Sequence, residues 1–103
     1  MSTTELPTPP PLEEICRRIV ARRDDLTRLG LRGLAIFGSC SRREQRSGSD
    51  IDVLVDLKPG HGYFDLARIK LLLETDFDVE VNPVSASAVP AESEIRAGSV
   101  HVI

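Results

Sequence analysis

Eight consecutive residues, Asp50-Ile51-Asp52-Val53-Leu54-Val55-Asp56-Leu57, constrain this chain more than any other stretch. In an extended backbone Ile51, Val53 and Val55 point one way, while Asp50, Asp52, Leu54 and Asp56 point the other. The alternation predicts a strand over Ile51–Leu57, closed by Lys58, Pro59 and Gly60. A sheet with one apolar face is covered by helices on that side only. Its other face is then open and carboxylate-rich. Clustered carboxylates repel one another unless a cation sits among them, so the pattern points to a metal site.

The rest of the chain supplies the elements to pack against that strand. Residues 1–11 read as a disordered or extended tail, because Pro7, Pro9, Pro10 and Pro11 exclude helix. Residues 12–103 form the domain. A helix is expected from Pro11 or Leu12, with Leu12, Ile15, Ile19, Leu26 and Leu29 at helical spacing and Gly30 as its stop. A short apolar run, Leu34 to Phe37, precedes Gly38. Residues 38–49 carry almost no large apolar side chains and read as a loop or short helical turn. A second helix spans Tyr63 to Thr75, its periodicity read through Phe64, Ala67 and Leu71, with Leu72 on the adjoining row. A third strand, Phe77 to Val81, is stopped at Asn82 by Pro83, with Glu80 and Asn82 on one face and Val79 and Val81 on the other. A helix around Ala91 to Ala97 and a short strand at Val100 to Val102 complete an α+β chain of about three to four strands, with helices on one face.

Composition removes several classes of function. At 103 residues the chain has room for one modest core. A net charge of −3 provides no global field for nucleic acid, so no direct nucleic-acid partner is expected. No stretch approaches the roughly 20 apolar residues of a membrane span, and Met1 to Pro11 lacks the features of a signal peptide, so no membrane partner and a cytoplasmic location are expected. Cys16 and Cys40 are too few for a disulfide framework or zinc cluster, and His61 and His101 lie far apart. Arginines concentrate in the first half, at positions 17, 18, 22, 23, 28, 32, 42, 43 and 46. That half suits phosphates or an acidic partner, and a solvated helix face accounts for most of it equally well.

The chemistry lies in two short motifs. Asp50 and Asp52 emerge on one face with Cα atoms roughly 6.6 Å apart, a separation at which two carboxylates can converge on one Mg²⁺ or bracket a pair. Gly38-Ser39 ends the preceding apolar run. Glycine lets the backbone approach a ligand closely, and free N–H groups at a strand-to-helix turn favour an anion. Ten residues separate Ser39 from Asp50.

Gly38-Ser39, ten residues, Asp50-x-Asp52, with the flanks Ile36-Phe37 and Val53-Leu54-Val55, resembles the signature of the polymerase-β-like nucleotidyltransferase superfamily. The short chain resembles in particular the minimal nucleotidyltransferases, the MNT antitoxins encoded beside HEPN toxins, over residues 12–103. The resemblance implies a small mixed sheet of that fold and catalytic, metal-binding roles for Asp50, Asp52 and Glu80. It implies a nucleotide-binding role for Gly38, Ser39, Arg42 and Ser49. Glu80 stands for an aspartate expected in a later strand, and its extra methylene can shift a ligand by about an ångström. The implied reaction is Mg²⁺-dependent transfer of AMP from ATP, with a two-ion site, to a tyrosine hydroxyl of a cognate HEPN ribonuclease toxin, in a hetero-oligomer with that toxin. The alternative is an antitoxin or nucleotide-binding module of impaired catalysis that neutralises its partner by contact alone.

Overall fold

Antiparallel pairing around the acidic strand organises the chain. In the computed structural model, which describes residues 6–103, β1 (Leu31–Phe37) lies beside β2 (Ile51–Leu57) with Phe37 opposite Asp52, Ile36 opposite Val53 and Leu34 opposite Val55. The outer strands are β3 (Val81–Ser85), parallel to β2, and β4 (Val100–His101), antiparallel to β1. The mixed sheet therefore runs β3-β2-β1-β4. Its remaining elements are the helices α1 (Leu12–Ala21), α2 (Arg23–Arg28), α3 (Tyr63–Phe77) and α4 (Glu94–Ala97), and a 3-10 turn, Ala86–Ala88.

Leu34, Ile36, Ile51, Val53, Val55 and Val81 supply the apolar face of the sheet, and α1, α2 and α3 bury Leu12, Ile15, Ile19, Leu26, Ile69, Leu73 and Phe77 against it. The three longer helices thus share one face, as the alternation in β2 requires. The opposite face is not bare. Ala35 and Leu54 form a second cluster there with Ala86 and Val89, flanked by Phe37, Val84 and Ile95, so the C-terminal segment covers part of it. What stays open is the end near Asp52.

Four expectations need correction. The first helix is two, interrupted at Arg22 (φ −100°, ψ 12°), although no breaker residue stands there. Arg22 and Arg18 both reach Asp76 at the end of α3, at 3.7 and 3.8 Å, and the Arg18 guanidinium lies 4.6 Å from the centre of the Phe77 ring. Part of the basic stretch is thus a tie between helices rather than a free surface. The first strand begins at Leu31, three residues before the apolar run. Gly30, at φ 97°, ends the helical segment there and leaves no room for a Cβ against the His61 ring.

Helix α3 buries a different face from the one its periodicity indicated. Phe64 is 82% exposed and Leu71 65% exposed, whereas Ile69, Leu73 and Phe77 are buried. The helix runs on to Phe77 and closes with Asp78 in the left-handed region (φ 56°, ψ 31°). This displaces the third strand by four residues, to Val81–Ser85, with Pro83 inside it. Proline is tolerated because β3 is an edge strand. The Val81 N–H donates to Glu74 and its C=O accepts from Lys70, both on α3, so these groups point away from β2. Pro83, two residues on, turns its missing N–H to the same outer side, and no ladder bond is lost.

Of the expected tail, residues 1–5 lie outside the described residues. Residues 6–11 are extended and lie against the loop after β1. Gln45 donates to the Pro10 carbonyl, Ser47 to that of Leu6, and the Gly48 N–H to that of Pro7. No helix among the described residues is long and apolar enough to cross a membrane.

The corrected face of α3 makes a direct prediction. Leu73→Ala should cost about 2–5 kcal/mol, whereas Phe64→Ser should change stability by less than about 0.5 kcal/mol. Urea unfolding of the two variants checks it, and equal losses would restore the original face.

Candidate active site

The site begins where β1 ends. Gly38 follows Phe37 at φ 74°, a conformation that only glycine adopts at little cost. A Cβ built on Gly38 would overlap Asp52 Oδ2. The glycine is therefore required first by the acidic strand beside it: the turn rests on the carboxylate with nothing between. Ser41 donates to the Gly38 carbonyl at 2.7 Å, and the Ser39 carbonyl accepts from the N–H groups of Arg42 and Glu44, closing a tight turn in place of a regular helix.

Cys40 locks this turn to β2. It is fully buried, and its thiol donates to the Asp50 carbonyl at 3.6 Å. Burial, and then the charge of Asp52, push the thiol up to about 11, so it stays protonated and serves in packing. Arg43 holds a left-handed conformation (φ 58°) and pairs with Glu13 of α1, with Nε at 3.1 Å from the carboxylate. These contacts and the bracing by residues 6–11 hold a loop whose only buried apolar side chain is Cys40.

The predicted site residues fall into two groups. Gly38, Ser39, Asp50 and Asp52 come together, and the Arg42 charge acts on Asp52 although its Nε also bonds Glu44 at 3.2 Å. The Asp52 carboxyl is held above its usual range, mainly because it is half-buried and in part because of the neighbouring Asp50 charge. The Ser49 hydroxyl accepts the Arg46 N–H at 2.8 Å, so it closes its own loop.

Glu80 stands apart. It precedes β3, its carbonyl accepts the Ile51 N–H at 2.9 Å, and it borders a shallow cleft with Pro7, Glu74 and Asp78. Among the described residues no three His, Cys, Asp or Glu side chains are grouped so as to hold a metal ion. The residue level with Asp52 on β3 is Asn82, whose amide donates to Asp52 Oδ1 at 3.2 Å. The displaced strand therefore brings an amide level with Asp52. Asn82 was visible on the right face in the sequence; the stop inferred at Pro83 hid its place in the strand.

Residues 14–102 match the nucleotidyltransferase domain family. The chain belongs to that family. It is 36% identical over 78 residues to a candidate protein adenylyltransferase of Methanocaldococcus jannaschii, covering 76% of this chain and 81% of that protein. It is 32% identical over 79 residues to the protein adenylyltransferase MntA of Thermococcus cleftensis, covering 76% and 80%. A solved candidate minimal nucleotidyltransferase superimposes with a TM-score of 0.76 at 31% identity, over 88% of this chain and 95% of the other. A toxin–antitoxin structure with AMP-PNP shares the fold, with a TM-score of 0.69 at 20% identity over 86% and 72%.

In this nucleotidyltransferase domain the two carboxylates and the Gly38 turn fit a divalent cation and a triphosphate: oxygen donors for a hard cation, and a backbone with no Cβ in the way. Two predictions follow from the crowding at Asp52. Burial favours the protonated carboxyl in the fold, so the folded chain binds the proton more tightly than the unfolded chain. The cost of Asp52 is absent below its unfolded pKa and grows as pH rises through the folded one. At neutral pH, Asp52→Asn should raise Tm by a few degrees, and the gain should vanish in acid; thermal melts across pH check it. Gly38→Ala should lower stability by about 1–3 kcal/mol through left-handed strain and displacement of Asp52. Denaturant unfolding measures that loss, and an unperturbed variant would contradict the contact.

Proposed function

We propose that this domain transfers AMP from ATP to a hydroxyl group, a tyrosine for preference, of a cognate HEPN ribonuclease toxin, and so acts in the cytoplasm as its antitoxin. The observation that carries the reading is the contact of the Gly38 turn with Asp52, which makes the anion cradle and the acidic pair one site. The relatives named protein adenylyltransferases support the reaction class, and the toxin–antitoxin neighbour supports a protein partner in a hetero-oligomer.

The chemistry is a displacement at the α-phosphorus. The acceptor oxygen bonds to that phosphorus, its bond to the bridging oxygen breaks, pyrophosphate leaves, and the hydroxyl proton passes to solvent. Backbone N–H groups of the turn at Gly38 and Ser39 hold the phosphates, and Arg42 adds positive charge at the rim. Asp50 and Asp52 would hold Mg²⁺, which supplies charge neutralisation at the phosphates when bound. Asp52 is bonded to Asn82 and pressed by the turn, so its carboxylate is set in place before nucleotide arrives.

Asn82 favours a second reading, in which the chain neutralises its partner by contact with little or no transfer, because an amide level with Asp52 is a weaker ligand and no base. One experiment separates the two. The chain is incubated with labelled ATP, Mg²⁺ and the HEPN protein encoded beside it, and toxin activity is followed in parallel. The expected outcome is label on the toxin, reduced on the order of 100-fold in Asp52→Ala, with neutralisation lost together with the label. Neutralisation that survives Asp50→Ala with Asp52→Ala, without label, would select the contact reading.

A further inference from the structure

Helix α3 is apolar on two sides, and the fold uses one of them. Ile69, Leu73 and Phe77 are buried against the sheet. Phe64, Ala67 and Leu71, at positions i, i+3 and i+7, form a second row that stays in water. Tyr63 stands beside the start of this row; it is 84% exposed, Phe64 82% and Leu71 65%. Of one tyrosine and three phenylalanines in the chain, two thus lie adjacent and exposed. A helix with apolar residues on opposite sides is suited to neighbours on both. The i, i+3, i+7 spacing is the pattern that a second helix fills, with the small Ala67 leaving room between two large side chains.

Charge and area select the occupant. Arg68 flanks the row, next to Phe64 and Leu71 on the helix surface, and makes no ion pair among the described residues. The three carboxylates of α3 are all engaged within the chain. Asp65 accepts the Gly62 N–H and lies 3.3 Å from His61 Nδ1, Glu74 holds Lys70 and the Val81 N–H, and Asp76 lies beside Arg18 and Arg22. A second copy seated on the row by a two-fold axis would set Arg68 beside its own copy, with no carboxylate of either helix free to separate them. The two rings and Leu71 expose roughly 400 Å². A symmetric pair would then bury about 800 Å² in all, short of the roughly 1,000 Å² of a specific interface. A different protein meets neither limit if it brings a carboxylate to Arg68 and extends beyond the row.

The row also leads toward the candidate site. Tyr63 and Ala67 line a cleft of about 240 Å³ with Leu66, Lys70, Asn82 and Pro83, and the Asn82 amide bonds Asp52 at 3.2 Å. A chain that leaves the row along this cleft passes the edge of β3 and arrives beside Asp52. We propose that Phe64, Ala67 and Leu71, with Tyr63 and Arg68, dock an amphipathic helix, acidic at its flank, of the protein that carries the acceptor hydroxyl. The proposal rests on the reading above that the acceptor is a protein. It adds the surface that holds that protein while its hydroxyl lies at the acidic pair.

Calorimetric titration of the full chain with the protein encoded beside it reads the affinity, and sedimentation of the chain alone reads self-association. Phe64→Ser should weaken binding about 30-fold, and Phe64→Ser with Leu71→Ser at least about 100-fold, the scale of losing anchor residues at an interface. Arg68→Glu should weaken it about tenfold, and carries the test should the serine variants be poorly folded. Val20→Ser, at an exposed apolar residue of α1, should leave the affinity unchanged. Wild-type affinity in the serine and Arg68 variants, or an equal loss in Val20→Ser, would overturn the proposal and leave the protein-acceptor reading standing. A wild-type dimer that the double variant dissolves, with affinity for the partner intact, would overturn it in favour of a second copy. If the wild type does not bind that protein at all, the protein-acceptor reading itself fails, and the proposal with it.

Discussion

The antiparallel pairing of β1 with β2 is the constraint on which everything else rests. Leu34 and Ile36 face Val55 and Val53 across the ladder, and the three long helices bury that face. Because side chains alternate with period two, a slip of one residue would carry Asp52 into the apolar layer and Val53 out of it. The core thus fixes the register, and the register sets Phe37 opposite Asp52 and drops the next residue, Gly38, onto the carboxylate. A site made of polar groups is aimed by apolar ones.

The cost of that aim is visible in the same residues. Asp52 is drawn part-way out of water beside another carboxylate, and a turn is pressed against it in a conformation few residues tolerate. The surrounding structure holds the arrangement through many weak contacts: the Cys40 thiol on the Asp50 carbonyl, Ser41 on the Gly38 carbonyl, Arg43 on α1, and the proline-rich segment along the far side of the loop. Each exposed polar link is worth little, but together they hold a loop that has almost no core of its own.

What could be read from residue order alone follows the range of the interactions. The β2 boundaries, the turn at Gly38 and the spacing to Asp50 are local and were legible. The face of α3 was not, because Phe64, Leu66, Ile69, Leu71, Leu72, Leu73 and Phe77 place apolar groups on more than one side, and only the shape of the sheet chooses among them. The third strand was misplaced because Pro83 reads as a stop; it is a stop only for a strand with neighbours on both sides. That misplacement hid Asn82 as the residue level with Asp52. The bracing by residues 6–11 joins positions more than thirty apart and leaves no periodic trace.

Pro83 and its surroundings also govern how other chains can approach. The outer rim of β3 has no N–H to offer at Pro83, and the groups of Val81 are already taken by Lys70 and Glu74. A partner therefore finds few free groups for laying an extended segment along this rim as a fifth strand, the route of β-augmentation. Side chains, helical surfaces and the open end of the sheet remain for an approach from this side. The same closure guards this edge against edge-to-edge aggregation, the ordinary hazard of a small sheet with a free margin.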